Sequence, residues 1–151
     1  MANPVYLDDL AAGQTFVSST VEITTEEIKE FARHYDPQPF HLDEAAAAAS
    51  LFGGLAASGW HTASITMRLI VTGGPAFAGG VVGAGGEVNW PRPTRPGDRL
   101  TVHGEIVSVT PSRSKPDRGI VEVHCETRNQ RGEIVQNLTA RLMVPRRPPA
   151  T

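Results

Sequence analysis

From Ser58 to Val71 the chain reads SGWHTASITMRLIV, with no Asp or Glu and with Arg68 as its only formal charge. A helix-length segment this poor in charge is normally buried, and a buried helix needs another layer to cover it. Ser58 stands as its N-cap, and Trp60, Ala63, Met67 and Ile70 form an apolar stripe. Thr62, Ser64 and Thr66 are small enough to be enclosed, and Thr72-Gly73-Gly74-Pro75 ends the helix. Downstream the texture is β. Val81 to Trp90 is a glycine-interrupted strand; Leu100, Val102 and Ile106 alternate along a second, and Val121, Val123 and Cys125 along a third. Ile134, Leu138, Ala140, Leu142 and Val144 mark a last strand, reached through a hairpin turn at Asn129-Gln130-Arg131-Gly132. Helices first and strands afterwards imply an α+β fold: four consecutive antiparallel strands in a curved sheet wrapped around a central buried helix.

Upstream, Gln14 to Val21 reads as a first strand, and Thr24 with Glu27 forms a capping box. The helix that follows carries Ile28, Phe31 and Ala32 on one face and stops before Pro37. Pro37 and Pro39 lie between Asp36 and His41; each lacks a donor and biases the residue before it toward extended geometry. Asp36 and His41 are therefore expected on a stiff bend between two helices. Asp43 caps the second helix, through Glu44 and a five-alanine run. A carboxylate can accept a proton while an imidazole donates or shuttles one near neutral pH, so the pair suits water activation. Asp and His beside prolines are also ordinary loop residues. What strengthens the pair is Ser58-Gly59, where the free N–H groups of a helix start can bind a developing oxyanion.

At 151 residues a single domain over 1–151 is expected, with 145–151 as a flexible tail. A formal charge of -2 gives no basic face for nucleic acid, and the sole cysteine, Cys125, excludes an intrachain disulfide. No basic cluster followed by an apolar core opens the chain, and no apolar run reaches membrane-spanning length, so a cytoplasmic protein without membrane contact is expected. Gly79 to Gly86 matches neither a dinucleotide fingerprint nor a phosphate loop; glycines that let a strand bend over a helix account for it. Neighbouring His124 and Cys125 would face opposite sides of a strand, so no metal site is expected.

Three segments carry a family resemblance. They are Asp36-Pro37-Gln38-Pro39-Phe40-His41 with its alanine-rich helix, Ser58-Gly59, and Val88-Asn89-Trp90-Pro91-Arg92-Pro93 through Pro96-Gly97-Asp98. Over Thr15 to Val144 the chain resembles the MaoC-like dehydratases, the family of R-specific enoyl-CoA hydratases. Gln38 stands where that family has Asn, Phe40 where it has a smaller aliphatic residue, and Ser58 where it has His. The resemblance implies a single hot-dog fold, the arrangement described above. It also implies interconversion of a trans-α,β-unsaturated acyl thioester and its R-3-hydroxyacyl thioester. Asp36 and His41 would activate water, and the Gly59 N–H would polarise the thioester carbonyl. Ser58, Trp60, Arg92 and Arg95 are candidate substrate contacts, Trp60 against the acyl chain or the core, the arginines on CoA phosphates or in a solvated loop. No separate cofactor is expected, since CoA or an acyl carrier arrives with the substrate. An uncovered sheet edge, with the resemblance, suggests a homodimer. Two other readings stand beside this one. A hot-dog thioesterase would usually carry its carboxylate on the central helix, where this chain has none; a non-catalytic protein would bind acyl thioesters without turnover.

Overall fold

Local signals set where each helix begins and stops. In the computed structural model, which describes residues 3–150, β1 (Thr15–Glu22) leads into α1 (Thr25–Tyr35). Residues 1, 2 and 151 of the expected domain lie outside the described residues. Thr24 Oγ1 accepts the Glu27 N–H at 3.2 Å and Glu27 Oε1 accepts the Thr24 N–H at 3.2 Å, the reciprocal cap expected. Gln38 is extended (φ -104°, ψ 147°), as a residue before proline should be. Pro39 then opens α2 (Pro39–Leu42), so His41 sits on one helical turn and not on the bend itself. A proline suits that first position because its missing N–H would have had no partner there. Asp43 caps α3 (Glu44–Ala48) by accepting the Ala46 N–H at 2.8 Å. Ser58 caps α4 (Gly59–Gly73).

Four further strands, β2 (Val82–Asn89), β3 (Arg99–Pro111), β4 (Arg118–Arg128) and β5 (Ile134–Pro145), complete one antiparallel sheet in the order β1-β3-β4-β5-β2. The last three meander as expected, but β2 does not pair with β3. It lies beyond β5, with Val82 opposite Met143 and Asn89 opposite Asn137. The reason is occupancy: the other edge of β3 is already taken by β1, from Thr15↔Glu105 to Glu22↔Arg99. Register shifts between Val17 and Thr20, Gly83 and Gly85, and Ile106 and Ser108 bend the strands around α4. This is the α+β hot-dog arrangement.

Inside the curve, Leu100, Val102 and Ile106 of β3 and Val121, Val123 and Cys125 of β4 face α4. The helix buries Thr62, Ile65, Thr66, Leu69 and Ile70, and His61 packs against Phe31 of α1. The expected stripe is thus rotated: Ile70 points inward, whereas Trp60 and Met67 are 59% and 44% exposed. Threonines can occupy the inner face because their hydroxyls find partners. Thr66 Oγ1 donates to Thr62 O at 2.9 Å, meets Thr127 Oγ1 at 2.6 Å and accepts from Gln136 Nε2 at 3.1 Å. Burial pushes the Cys125 thiol up to about 12, so it is an inert core group. At the chain's end, the Arg147 N–H donates to Asp8 Oδ2 at 2.8 Å and its guanidinium donates to Asp9. Among the described residues no helix is long and apolar enough to cross a membrane.

Candidate active site

Asp36 ends α1, donating its N–H to Ala32 O at 3.0 Å, and Pro37 forces the chain out of the helix at that point. The one turn of α2 then swings His41 back toward it. His41 is 3% exposed, its Nδ1 lies 2.6 Å from Ala56 O and its Nε2 lies 3.2 Å from Asp36 Oδ2. A carbonyl oxygen only accepts, so Nδ1 must carry hydrogen and Nε2 is the atom whose protonation can change. The edge of Phe40 packs on the imidazole, with ring centroids 4.6 Å apart.

The Asp36 side chain is 17% exposed. Partial burial raises its pKa, but hydrogen bonds from Ser58 and Gln38, with the adjacent His41, outweigh that and hold the carboxyl below its ordinary value. Ser58 matters beyond that, because it is fully buried and is the N-cap of α4, where its Oγ accepts the Trp60 N–H at 3.3 Å. The structure therefore brings Asp36 to Ser58, the cap that precedes Gly59 at the start of α4, and His41 to Ala56, two residues before that cap. Among the described residues the Gly59 N–H has no hydrogen-bond acceptor, as the geometry of a first helical position dictates. A carboxylate, an imidazole and a free helix-start amide together can hold a water and an electron-accepting carbonyl.

Glycine at 59 has a local cause. A Cβ there would lie 2.7 Å from Trp90 Cδ2 and Cε2, so the indole rests directly on the glycine. Trp90 donates its Nε1–H to the buried Gln136 Oε1 at 2.9 Å, and Trp60 stands at right angles to it with centroids 5.3 Å apart. Trp60 is thus a surface aromatic beside Gly59, not a core residue.

The two arginines part company. Arg92 is exposed and pairs with Glu133 at 3.5 Å. Arg95 turns inward: Nη1 donates to Gly54 O at 2.8 Å and Leu55 O at 3.3 Å, and Nη2 donates to Phe52 O. Its guanidinium is spent on backbone carbonyls, so it is not poised for a phosphate. Neither the role of Ala56 O nor that of Trp90 was foreseeable: the first is a backbone atom, and the second depends on which strand lies over the helix start.

His61 is a further buried imidazole, stacked on Phe31 at 4.6 Å and 3° between planes, with its Nδ1 unpartnered. Burial lowers its pKa, against an opposing pull from Glu27. It lines a cavity of about 660 Å³ on the α1 side with Glu27, Phe31 and Tyr35, and the Asp36–His41 pair does not line that cavity. Among the described residues no group of three His, Cys, Asp or Glu could hold a metal ion.

Residues 9–129 match the model of the MaoC like domain family. The uncharacterized protein YdeM of Bacillus subtilis is 34% identical over 128 residues, covering 83% of this chain and 88% of that protein. The crystal structure of a MaoC-like dehydratase from Rhodospirillum rubrum superposes with a TM-score of 0.94 at 57% identity, covering 96% of this chain and 99% of that one. The unliganded R-hydratase PhaJ1 of Pseudomonas aeruginosa has a TM-score of 0.73 at 26% identity, covering 98% and 96%. The protein described here belongs to the MaoC-like domain family of hydratases and dehydratases.

Proposed function

We propose that this chain interconverts a trans-α,β-unsaturated acyl thioester and its R-3-hydroxyacyl thioester, with Asp36 and His41 acting on water and Gly59 on the thioester carbonyl. The observation that carries this reading is the Nε2–Oδ2 contact of 3.2 Å at the start of α4. With Nδ1–H committed to Ala56 O, Nε2 faces the Asp36 carboxylate, which its hydrogen-bond partners favour in the ionised form. A water seated beside the two atoms can donate a hydrogen bond to either of them. In hydration that water loses a proton to the pair and its oxygen bonds to the β carbon. The electron pair of the double bond moves onto the carbonyl oxygen, which the Gly59 N–H stabilises; such a donor is typically worth about 2.7–4 kcal/mol. Return of the proton to the α carbon completes the addition. The thioester stays intact, and no separate cofactor takes part. The R configuration is supported by the similarity to an R-hydratase.

CoA or an acyl carrier supplies the thioester; Arg92 is the exposed cation on the connecting loop that can meet its phosphates, and Trp60 with Trp90 borders the acyl path. A homodimer is supported by β2, which is an edge strand exposed along nearly its whole length. The exposed Trp60, Met67 and Val71 on α4 add apolar surface for a second copy. Kinetics of short enoyl-CoA hydration test the catalytic assignment. Asp36→Asn and His41→Ala should each slow turnover on the order of 10²–10⁴-fold with unchanged circular dichroism. Wild-type rates in both would end it.

A further inference from the structure

His41 is held by two consecutive peptide units, and both are fixed from the far side by the loop between β2 and β3. The unit joining Ala56 to Ala57 gives its carbonyl to His41 Nδ1 at 2.6 Å and its N–H to Thr94 O at 2.9 Å. The unit joining Leu55 to Ala56 gives its N–H to Phe40 O at 3.3 Å and its carbonyl to Arg95 Nη1 at 3.3 Å. Arg95 also donates to Gly54 O and Phe52 O, so one planar cation gathers three carbonyls of the segment. Its own backbone is anchored: the Arg95 N–H donates to Asp98 Oδ2 at 2.8 Å, and the buried Asp98 accepts Gln130 Nε2 at 3.0 Å. Arg95 therefore ties the end of the sheet to the peptide just before the one on which the imidazole rests.

We propose that Arg95 is a positioning residue for the acid–base pair, seating the Phe52–Leu55 carbonyls so that the Ala56 carbonyl holds His41 as its Nδ1–H tautomer with Nε2 toward Asp36. The inference rests on the reading that this pair carries the chemistry. A positively charged guanidinium is required because three carbonyls converging on one point repel each other unless a multidentate donor sits among them. Arg95 touches no substrate in this role, which sets it apart from both sequence alternatives, a phosphate contact and a solvated loop.

The test compares Arg95→Met and Arg95→Lys with the wild type by two readouts. Long-range proton–nitrogen NMR of the His41 ring reports its tautomer independently of turnover. Steady-state kinetics with a short enoyl-CoA separates kcat from KM. In Arg95→Met the His41 nitrogens should lose the Nδ1–H signature and kcat should fall on the order of 10²-fold, the scale of a small misplacement of a reacting group, with KM nearly unchanged. Arg95→Lys, which keeps the charge but not the fork, should recover part of both. Unmoved His41 signals with unchanged kcat in a folded variant would overturn the proposal, as would a rise in KM alone, which marks a phosphate contact. If Arg95→Met does not fold, the same outcomes are read from Arg95→Lys. If the wild type hydrates no enoyl thioester, the functional reading fails while the NMR comparison still decides whether Arg95 positions His41.

Discussion

At the scale of single residues, backbone hydrogen bonding leaves His41 Nε2 facing Asp36 and the Gly59 N–H without an acceptor among the described residues. His41 spends Nδ1 on Ala56 O, and Gly59 keeps its N–H open because it is first in its helix. Gly59→Ala should cost stability through Trp90, since the added methyl would lie 2.7 Å from the indole. A double-mutant cycle with Trp90→Leu checks this; contact predicts a coupling of about 0.5–3 kcal/mol in stability, and additive losses would exclude it. His61 gives a second residue-level prediction. Its native pKa is lowered by burial, so the unfolded chain takes up a proton first as pH falls through its ordinary value near 6.5. Stability from neutral His61 is therefore present above that pH and lost below it. His61→Phe, which keeps a ring against Phe31, should flatten this loss in thermal melts between about pH 7 and 5. An unchanged pH slope would contradict it. Much of the site was legible in the sequence. Asp36 and His41 stood out because Pro37 and Pro39 brace them, and Gly59 because Ser58 announces a cap. Arg95 was left open between phosphate and solvent, because a loop arginine looks the same in sequence whether it faces phosphate, water or carbonyls.

At the scale of elements, α4 is held by polar contacts as well as by burial of its apolar residues. Thr66, Thr127 and Gln136 are all fully buried and hydrogen-bonded to one another, and Gln136 also fixes Trp90. Thr66→Val would leave Gln136 Nε2 and the Thr127 hydroxyl short of partners. It should lower unfolding free energy by about 1–3 kcal/mol in denaturant titration. No measurable loss would show that the network adds nothing. Thr62 and Thr66 are enclosed as their size suggested, whereas Ser64 and the stripe residues Trp60 and Met67 face outward. Apolar periodicity favours Trp60 and Met67, whereas the sheet accepts the smaller Thr62 and Thr66 at close range. The strands were legible because β3, β4 and β5 alternate. The position of β2 was not, since pairing partners depend on which edge is free, and β1 had already taken that of β3.

At the scale of the whole molecule, a five-stranded sheet closes one side of α4 and leaves β2 as an open edge. Pairing of β2 with its counterpart in a second copy would extend the sheet and cover the outer face of α4. Met67→Glu on that face should shift sedimentation from dimer to monomer; a wild type that is monomeric at all concentrations would contradict the dimer. In the proposed reaction water adds across a double bond while the thioester survives. Incubating a trans-2-enoyl-CoA with the protein in ¹⁸O-labelled water, then resolving the product by chiral chromatography and mass spectrometry, tests it most directly. The prediction is an R-3-hydroxyacyl-CoA carrying the label at carbon 3 alone. Free CoA with label in a released carboxylic acid, or an S product, would contradict it.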